Sequence, residues 1–188
     1  MKLSSNTKLF LGAILVGFVA IIGPSLKSWQ EQRLSGEVLY LEDNVSVSQQ
    51  IQLRDIKALR LRGFAGVIDL RPNGEAPDEP SSALVGKEVA ANGMSFAYVP
   101  VQHGDIPPAS VDALAKALAE ARTPVVLYCR SGRRAVRTWS LVEASKPGGL
   151  SASSIQRAAQ NVGQSVDDLM PVIKDRIANR PKQEEKIS

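Results

Sequence analysis

One cysteine and one histidine occur in the 188 residues of this chain. The lone cysteine, Cys129, excludes an intramolecular disulfide. Together the two counts exclude a structural zinc site built from cysteines and histidines. Aromatic residues reach only 5%, and they do not interleave with the basic ones, so nucleic acid is not expected as a partner. The chain has no glycine fingerprint for a nucleotide and no internal repeat, and no cofactor or metal is expected. Hydrophobic residues at 44% and charged residues at 22% exclude a disordered or collagen-like chain.

The formal net charge is +4. Part of it lies outside any globular fold. Residues 9–26 contain no charged side chain, Lys2 and Lys8 precede them and Lys27 follows. Eighteen helical residues span about 27 Å, enough for a bilayer core. Residues 1–27 are therefore expected to be a single-span membrane anchor, with a cleaved signal segment as the alternative. Positive charge before the run favours a cytoplasmic amino terminus. The following domain then lies across the inner membrane, in the periplasm of a Gram-negative cell, or is secreted after cleavage. Residues 28–43 read as a connector with one short strand at 38–41, residues 44–179 as the folded domain and residues 180–188 as a flexible tail.

Within the domain, turn residues punctuate short apolar runs. Ile51, Ile56, Leu59 and Leu61 suggest a helix stopped by Gly63. Residues 64–70, 95–101 and 125–128 read as strands. Residues 82–92, a stretch opened by Pro107 and Pro108, 135–145, 151–161 and 166–178 read as helices. This alternation predicts an α/β fold of three layers, a mostly parallel sheet covered by helices, preceded by the transmembrane helix. A ligand site is expected at the carboxyl ends of the strands.

The loop after the third of these strands is the most informative stretch. Cys129 ends a buried run, and Arg130, Ser131, Gly132, Arg133 and Arg134 lead into a helix. That geometry directs backbone N–H groups into one concavity at the positive end of a helix. Such a field favours the thiolate. Gly132 allows tight curvature, and an inward arginine clamps an oxyanion with two bonds. The arrangement suits attack on phosphorus or sulfur. The alternative is a buried cysteine followed by a basic, solvated helix face.

These residues, with Val45-Ser46-Val47-Ser48-Gln49, Gly63-Phe64, Val67-Ile68-Asp69-Leu70-Arg71-Pro72-Asn73-Gly74-Glu75, Pro100-Val101 and Gly104-Asp105-Ile106, make the sequence familiar. Over residues 44–173 it resembles the bacterial phosphatase-like domain found beside metallo-beta-lactamase-fold hydrolases. That domain is a branch of the Cys-dependent protein tyrosine and dual-specificity phosphatase fold. The resemblance implies Cys129 as nucleophile, Arg134 with the loop amides as anion binders and Asp105 as general acid. One departure stands out. Phosphatases of this fold carry C-x5-R, whereas position 135 is Ala and Arg134 gives C-x4-R, the spacing of rhodanese-like sulfurtransferases.

Catalysis is therefore expected from Cys129, Arg134 and Asp105, and substrate binding from Arg130, Ser131, Gly132, Arg133 and Arg71. Asp105 alternatively caps a helix. His103, on the same loop, is a candidate proton donor or orienting group for Asp105, and alternatively has no role beyond an exposed loop. Arg71 alternatively pairs with Glu75, Asp78 or Glu79, in an acidic loop expected to be solvated surface. The expected function is a Cys-dependent phosphomonoester hydrolase. The alternatives are a sulfurtransferase carrying a persulfide on Cys129 and a non-catalytic anion-binding module at the membrane. The expected partner is a small anionic group, a phosphomonoester or a sulfur donor, with the membrane engaged through the amino-terminal helix.

Overall fold

The computed structural model describes residues 34–182. The expected anchor and most of the tail lie outside them. Among the described residues no helix is long and apolar enough to cross a membrane.

Five strands form one sheet: β1 (Val38–Glu42), β2 (Val45–Ser48), β3 (Gly66–Asp69), β4 (Ser95–Tyr98) and β5 (Val125–Tyr128), in the order β1-β2-β5-β3-β4. β1 runs antiparallel to β2; every other pairing is parallel. The mostly parallel α/β expectation holds. The strand expected in the connector is the antiparallel edge of this sheet. β2 had no counterpart among the expected strands. Its Val-Ser-Val-Ser text is weakly apolar, yet Ser46 and Ser48 are buried along with Val47 because β2 is flanked on both sides.

Side chains alternate across the pleat. Val125, Leu127 and Cys129 face one way, and Val126 and Tyr128 the other. The first face carries α3 (Pro108–Glu120), α4 (Arg133–Ser145), α5 (Ala152–Asn161) and α6 (Met170–Asn179), whose Leu114, Trp139, Ile155 and Ile173 are buried. The second face carries α1 (Leu53–Leu61) and α2 (Ser82–Ala91) through Ile56, Leu59, Val85 and Val89. Three layers result.

Local chemistry sets where the helices begin. Asp55 and Gln52 form a capping box at α1, and the Ser81 and Ser151 side chains accept N–H groups at α2 and α5. α4 starts at Arg133, two residues before the expected 135, because Gly132 takes a left-handed conformation (φ 81°) that turns the chain directly into the helix. Arg133 and Arg134 thus sit in its first turn. A single helix expected at 166–178 is instead a short 3-10 turn, Asp167–Leu169, followed by α6.

Candidate active site

β5 delivers Cys129 to the carboxyl end of the sheet, where it is 1% exposed. The loop that follows is tied down by its carbonyls. Arg130 O accepts the Gln50 N–H at 3.2 Å, Ser131 O accepts Gln164 Nε2 at 3.2 Å and Gly132 O accepts the Val136 N–H at 3.0 Å. Its N–H groups are unspent. Among the described residues, the amides of Arg130, Ser131, Gly132, Arg133, Arg134 and Ala135 donate to no protein acceptor. Six free donors in succession, ending in the first turn of α4, constitute an anion cradle. The side chains of Arg130, Ser131 and Arg133 are exposed, so these residues offer the cradle their backbones.

Arg134 is the buried arginine of this loop. Its Nη1 donates to Glu75 Oε1 at 2.6 Å and to Val101 O at 2.7 Å, and its Nη2 donates to Glu75 Oε2 at 2.6 Å. A guanidinium has five N–H donors. These bonds use both hydrogens of Nη1 and one of Nη2. The remaining two, on Nε and Nη2, share one edge of the plane and form a fork matched to an oxyanion. Cys129 lies within hydrogen-bonding reach of this group. Burial works against the Arg134 charge, but the bonds to Glu75 and the nearby Cys129 outweigh it and hold its pKa above the ordinary value. Glu75 is lowered in turn, chiefly by the Arg134 hydrogen bonds, against the opposing effect of burial.

Arg71, at the end of β3, is also buried. Nε meets Glu75 Oε2 at 3.1 Å, Nη1 meets Gln50 Oε1 at 2.5 Å and Nη2 pairs with Glu79. Each of its three nitrogens has a protein partner. Glu75 and Glu79 correct the expectation of a solvated acidic loop: they are 14% and 6% exposed. Two buried guanidiniums require counter-charges at short range, and the loop folds inward to supply them. Glu75 serves both arginines at once. The pairing of Arg71 with Glu75 and Glu79 is the alternative expected from the sequence; the bonds of Glu75 to Arg134 are the role that sequence reasoning missed.

Behind the cradle, Asp69 accepts the Arg71 N–H at 2.8 Å and neighbours the Tyr128 hydroxyl. Burial pushes the Asp69 carboxyl up to about 6, although those contacts oppose it. Burial and the neighbouring Asp69 carboxylate push the Tyr128 hydroxyl well above its usual range.

Asp105 is exposed on the loop between Val101 and α3, and its carboxylate makes no hydrogen bond or ion pair among the described residues. It does not cap α3: the N-cap position is Pro107. His103 is exposed as well, with Nε2 3.7 Å from Glu75 Oε1. The loop therefore brings both residues to the cradle's end of the sheet, with His103 beside Glu75.

Beside the cradle lies a cleft of about 180 Å³ lined by Leu39, Val47, Ser48, Ser131, Gly132 and Val162, among others. A larger cleft, about 730 Å³, opens at the opposite end of the sheet over Val45, Val111, Leu118 and Trp139. It holds neither the cysteine nor any arginine. The smaller one is also lined by neither, but it borders the Cys129 loop through Ser131 and Gly132.

A cysteine at the end of a central parallel strand, followed by an amide cradle and a buried arginine, defines the class of Cys-loop, phosphatase-like α/β domains. Residues 37–146 match the family described as "Beta-lactamase hydrolase-like protein, phosphatase-like domain", and the chain belongs to that family. This places it among phosphatase-like enzymes. A "Beta-lactamase hydrolase-like protein" of Agrobacterium fabrum is 31% identical over 104 residues, 55% of this chain and 24% of the relative. One of Xylella fastidiosa is 27% identical over 107 residues, 57% of this chain and 25% of the relative. The aligned stretch is thus about a quarter of the length of these curated relatives. Among solved structures, a Neisseria meningitidis protein described as a candidate phosphatase superposes with a TM-score of 0.64 at 25% identity, covering 73% of this chain and 96% of that one. The core catalytic domain of a PP-IP phosphatase from S. cerevisiae shares the fold at 15% identity, with a TM-score of 0.53 over 72% of this chain and 82% of that one.

Proposed function

We propose that this domain hydrolyses a phosphomonoester through Cys129. The unspent amide ring and the free edge of Arg134, both at the cysteine, are the observation that carries the reading. The Cys129 sulfur attacks phosphorus and the P–O bond to the leaving group breaks. The departing oxygen takes a proton from Asp105. Water then attacks the cysteinyl phosphate, gives its proton to Asp105, and the S–P bond breaks to release inorganic phosphate and the thiolate. The amides and Arg134 stabilise the charge on the equatorial oxygens in both steps. Arg71 acts at one remove, by holding Glu75 against Arg134.

The test is turnover of p-nitrophenyl phosphate by the reduced full chain. Activity that vanishes in Cys129→Ser and falls steeply in Asp105→Asn is the expected result; a folded, inactive wild type overturns it. The C-x4-R spacing keeps a second reading in play, a sulfurtransferase with a persulfide on Cys129. A one-sulfur mass increase on Cys129 after thiosulfate treatment, with thiocyanate formed from cyanide, supports that reading, and Asp105→Asn then has no effect.

We also propose that residues 1–27 are a single-span inner-membrane anchor with the domain in the periplasm. The uncharged run of residues 9–26 supports it. External protease added to spheroplasts is expected to degrade the domain; protection reverses the orientation.

A further inference from the structure

The chain enters the domain at the catalytic end. β1 is antiparallel to its neighbour, and its first residue, Val38, pairs with Ser48, the last residue of β2. The entering segment is anchored there: the Ser35 N–H and hydroxyl both donate to Asp55 Oδ1, at 2.8 and 2.9 Å, in the first turn of α1. Leu39, on β1, lines the cleft beside Ser131 and Gly132. Between the uncharged run and Leu34 lie only seven residues, 27–33. Fully extended, they reach about 25 Å.

The surface at this end is unusual. Six large hydrophobic side chains are exposed among the described residues, and four of them are here. Leu53 (37% exposed) opens α1, Leu84 (52%) is in the first turn of α2, Tyr98 (38%) ends β4 and Val172 (44%) is in the first turn of α6. Single exposed apolar residues carry no message. A set confined to the end that holds the reactive cysteine, where exposed Arg54, Arg130 and Arg133 mix with exposed Glu37, Asp78 and Asp105, has the apolar and polar composition of a surface that rests on a bilayer. The connector is too short to carry this end far from the membrane.

On these observations we propose that the substrate is a lipid-borne phosphomonoester, presented in the plane of the membrane that anchors the chain. The proposal rests on the phosphatase and anchor readings above. Cys129 attacks the headgroup phosphorus, the ester oxygen leaves with the Asp105 proton on the lipid alcohol, and water releases inorganic phosphate. The small cleft beside the cradle then receives the carbon atoms nearest the phosphate, against Leu39, Val47 and Val162. A phosphate on a membrane protein reaches the same end of the domain, but only the lipid headgroup lies at one fixed depth across the whole rim of apolar side chains.

The experiment uses the full chain reconstituted in phosphatidylcholine vesicles containing phosphatidic acid, with p-nitrophenyl phosphate as a soluble substrate for the same preparation. Phosphate is expected to be released from both. A flexible Gly/Ser spacer of about 30 residues inserted after Lys27 adds roughly 30 Å of reach. It is expected to lower the lipid rate about tenfold or more while the soluble rate stays constant, through loss of effective concentration. Leu84→Asp, on α2 and outside the Cys129 loop, is expected to act in the same direction. Hydrolysis of p-nitrophenyl phosphate without hydrolysis of phosphatidic acid overturns the proposal and leaves the phosphatase reading standing. So does a lipid rate unchanged by both alterations, or hydrolysis of a vesicle-tethered phosphotyrosine peptide in place of the lipid. Failure on both phosphate esters by folded protein removes the phosphatase reading, and this proposal with it.

Discussion

Two arginines stand at the ends of adjacent strands, on the same end of the sheet, and do different work. Arg71 follows β3, and each of its nitrogens meets a carboxylate or Gln50. Arg134 follows β5 by way of the Cys129 loop. It meets one carboxylate and one carbonyl, and keeps a two-donor edge unspent beside the sulfur. Both are buried, and both lean on Glu75. Residue type and burial are therefore poor guides to which arginine binds a ligand; the guide is the number of donors left over after the protein has taken its share. In the proposed mechanism Arg71 is a strut, and Arg134 is a clamp held in place by that strut's own partner.

The largest expected effect separates the two. Arg134→Lys removes the two-donor edge and is expected to lower kcat/KM for p-nitrophenyl phosphate by on the order of a hundredfold to a thousandfold. Arg71→Lys is expected to change kcat/KM much less. Equal losses in the two variants, measured side by side, would erase the distinction. Glu75→Gln comes next, because it strips both guanidiniums of a shared counter-charge. A stability loss of about 2–3 kcal/mol in urea unfolding is expected. Its pH dependence has a defined sign. Glu75 is held below its ordinary value of 4.5, so its contribution is present above that pH and is lost as pH falls through the lowered value. The variant is expected to lack that acid-side loss.

Arg71→Lys keeps the charge and gives up the fork, for an expected stability cost of about 1–2 kcal/mol. The smallest effect concerns the layer behind both arginines. Asp69 titrates at about 6 in the folded protein against an ordinary value of 3.8. The folded state therefore binds this proton more tightly than the unfolded chain. The resulting stabilisation is complete below about pH 3.8 and is lost as pH rises through about 6. In Asp69→Asn the side chain is neutral at every pH. Unfolding midpoints followed across this window are expected to slope downward in the wild type and to flatten in the variant. Parallel curves would remove Asp69 from the account.

Much of the scaffold was legible in the residues. The apolar run ending at Tyr128, the prolines opening α3 and the helical period of Val111, Leu114 and Leu118 are local signals that landed where expected, and the strand expected over 64–70 forms as Gly66–Asp69. β2 was not legible. Its four residues have too little apolar character to announce a strand, and it is a strand because β1 and β5 satisfy its backbone on both sides. The Cys129 loop was legible as an anion cradle, since a strand end, a glycine and a helix start follow one another in sequence. Glu75 was not legible as its partner. It lies 59 residues from Arg134, and nothing local distinguishes an acid that turns inward from one that meets water.

The sequence by itself determined the alternation of strands and helices, the place of the lone cysteine and the left-handed turn at Gly132 that starts α4. Each depends on residues within a few positions of one another, where backbone sterics and hydrophobic period decide. Only the tertiary structure decided which arginine keeps donors for a ligand, which acids hold the arginines and at which end of the domain the chain enters. Those depend on the meeting of β1, β3 and β5 and on the desolvation of charges that meet only once the sheet has formed.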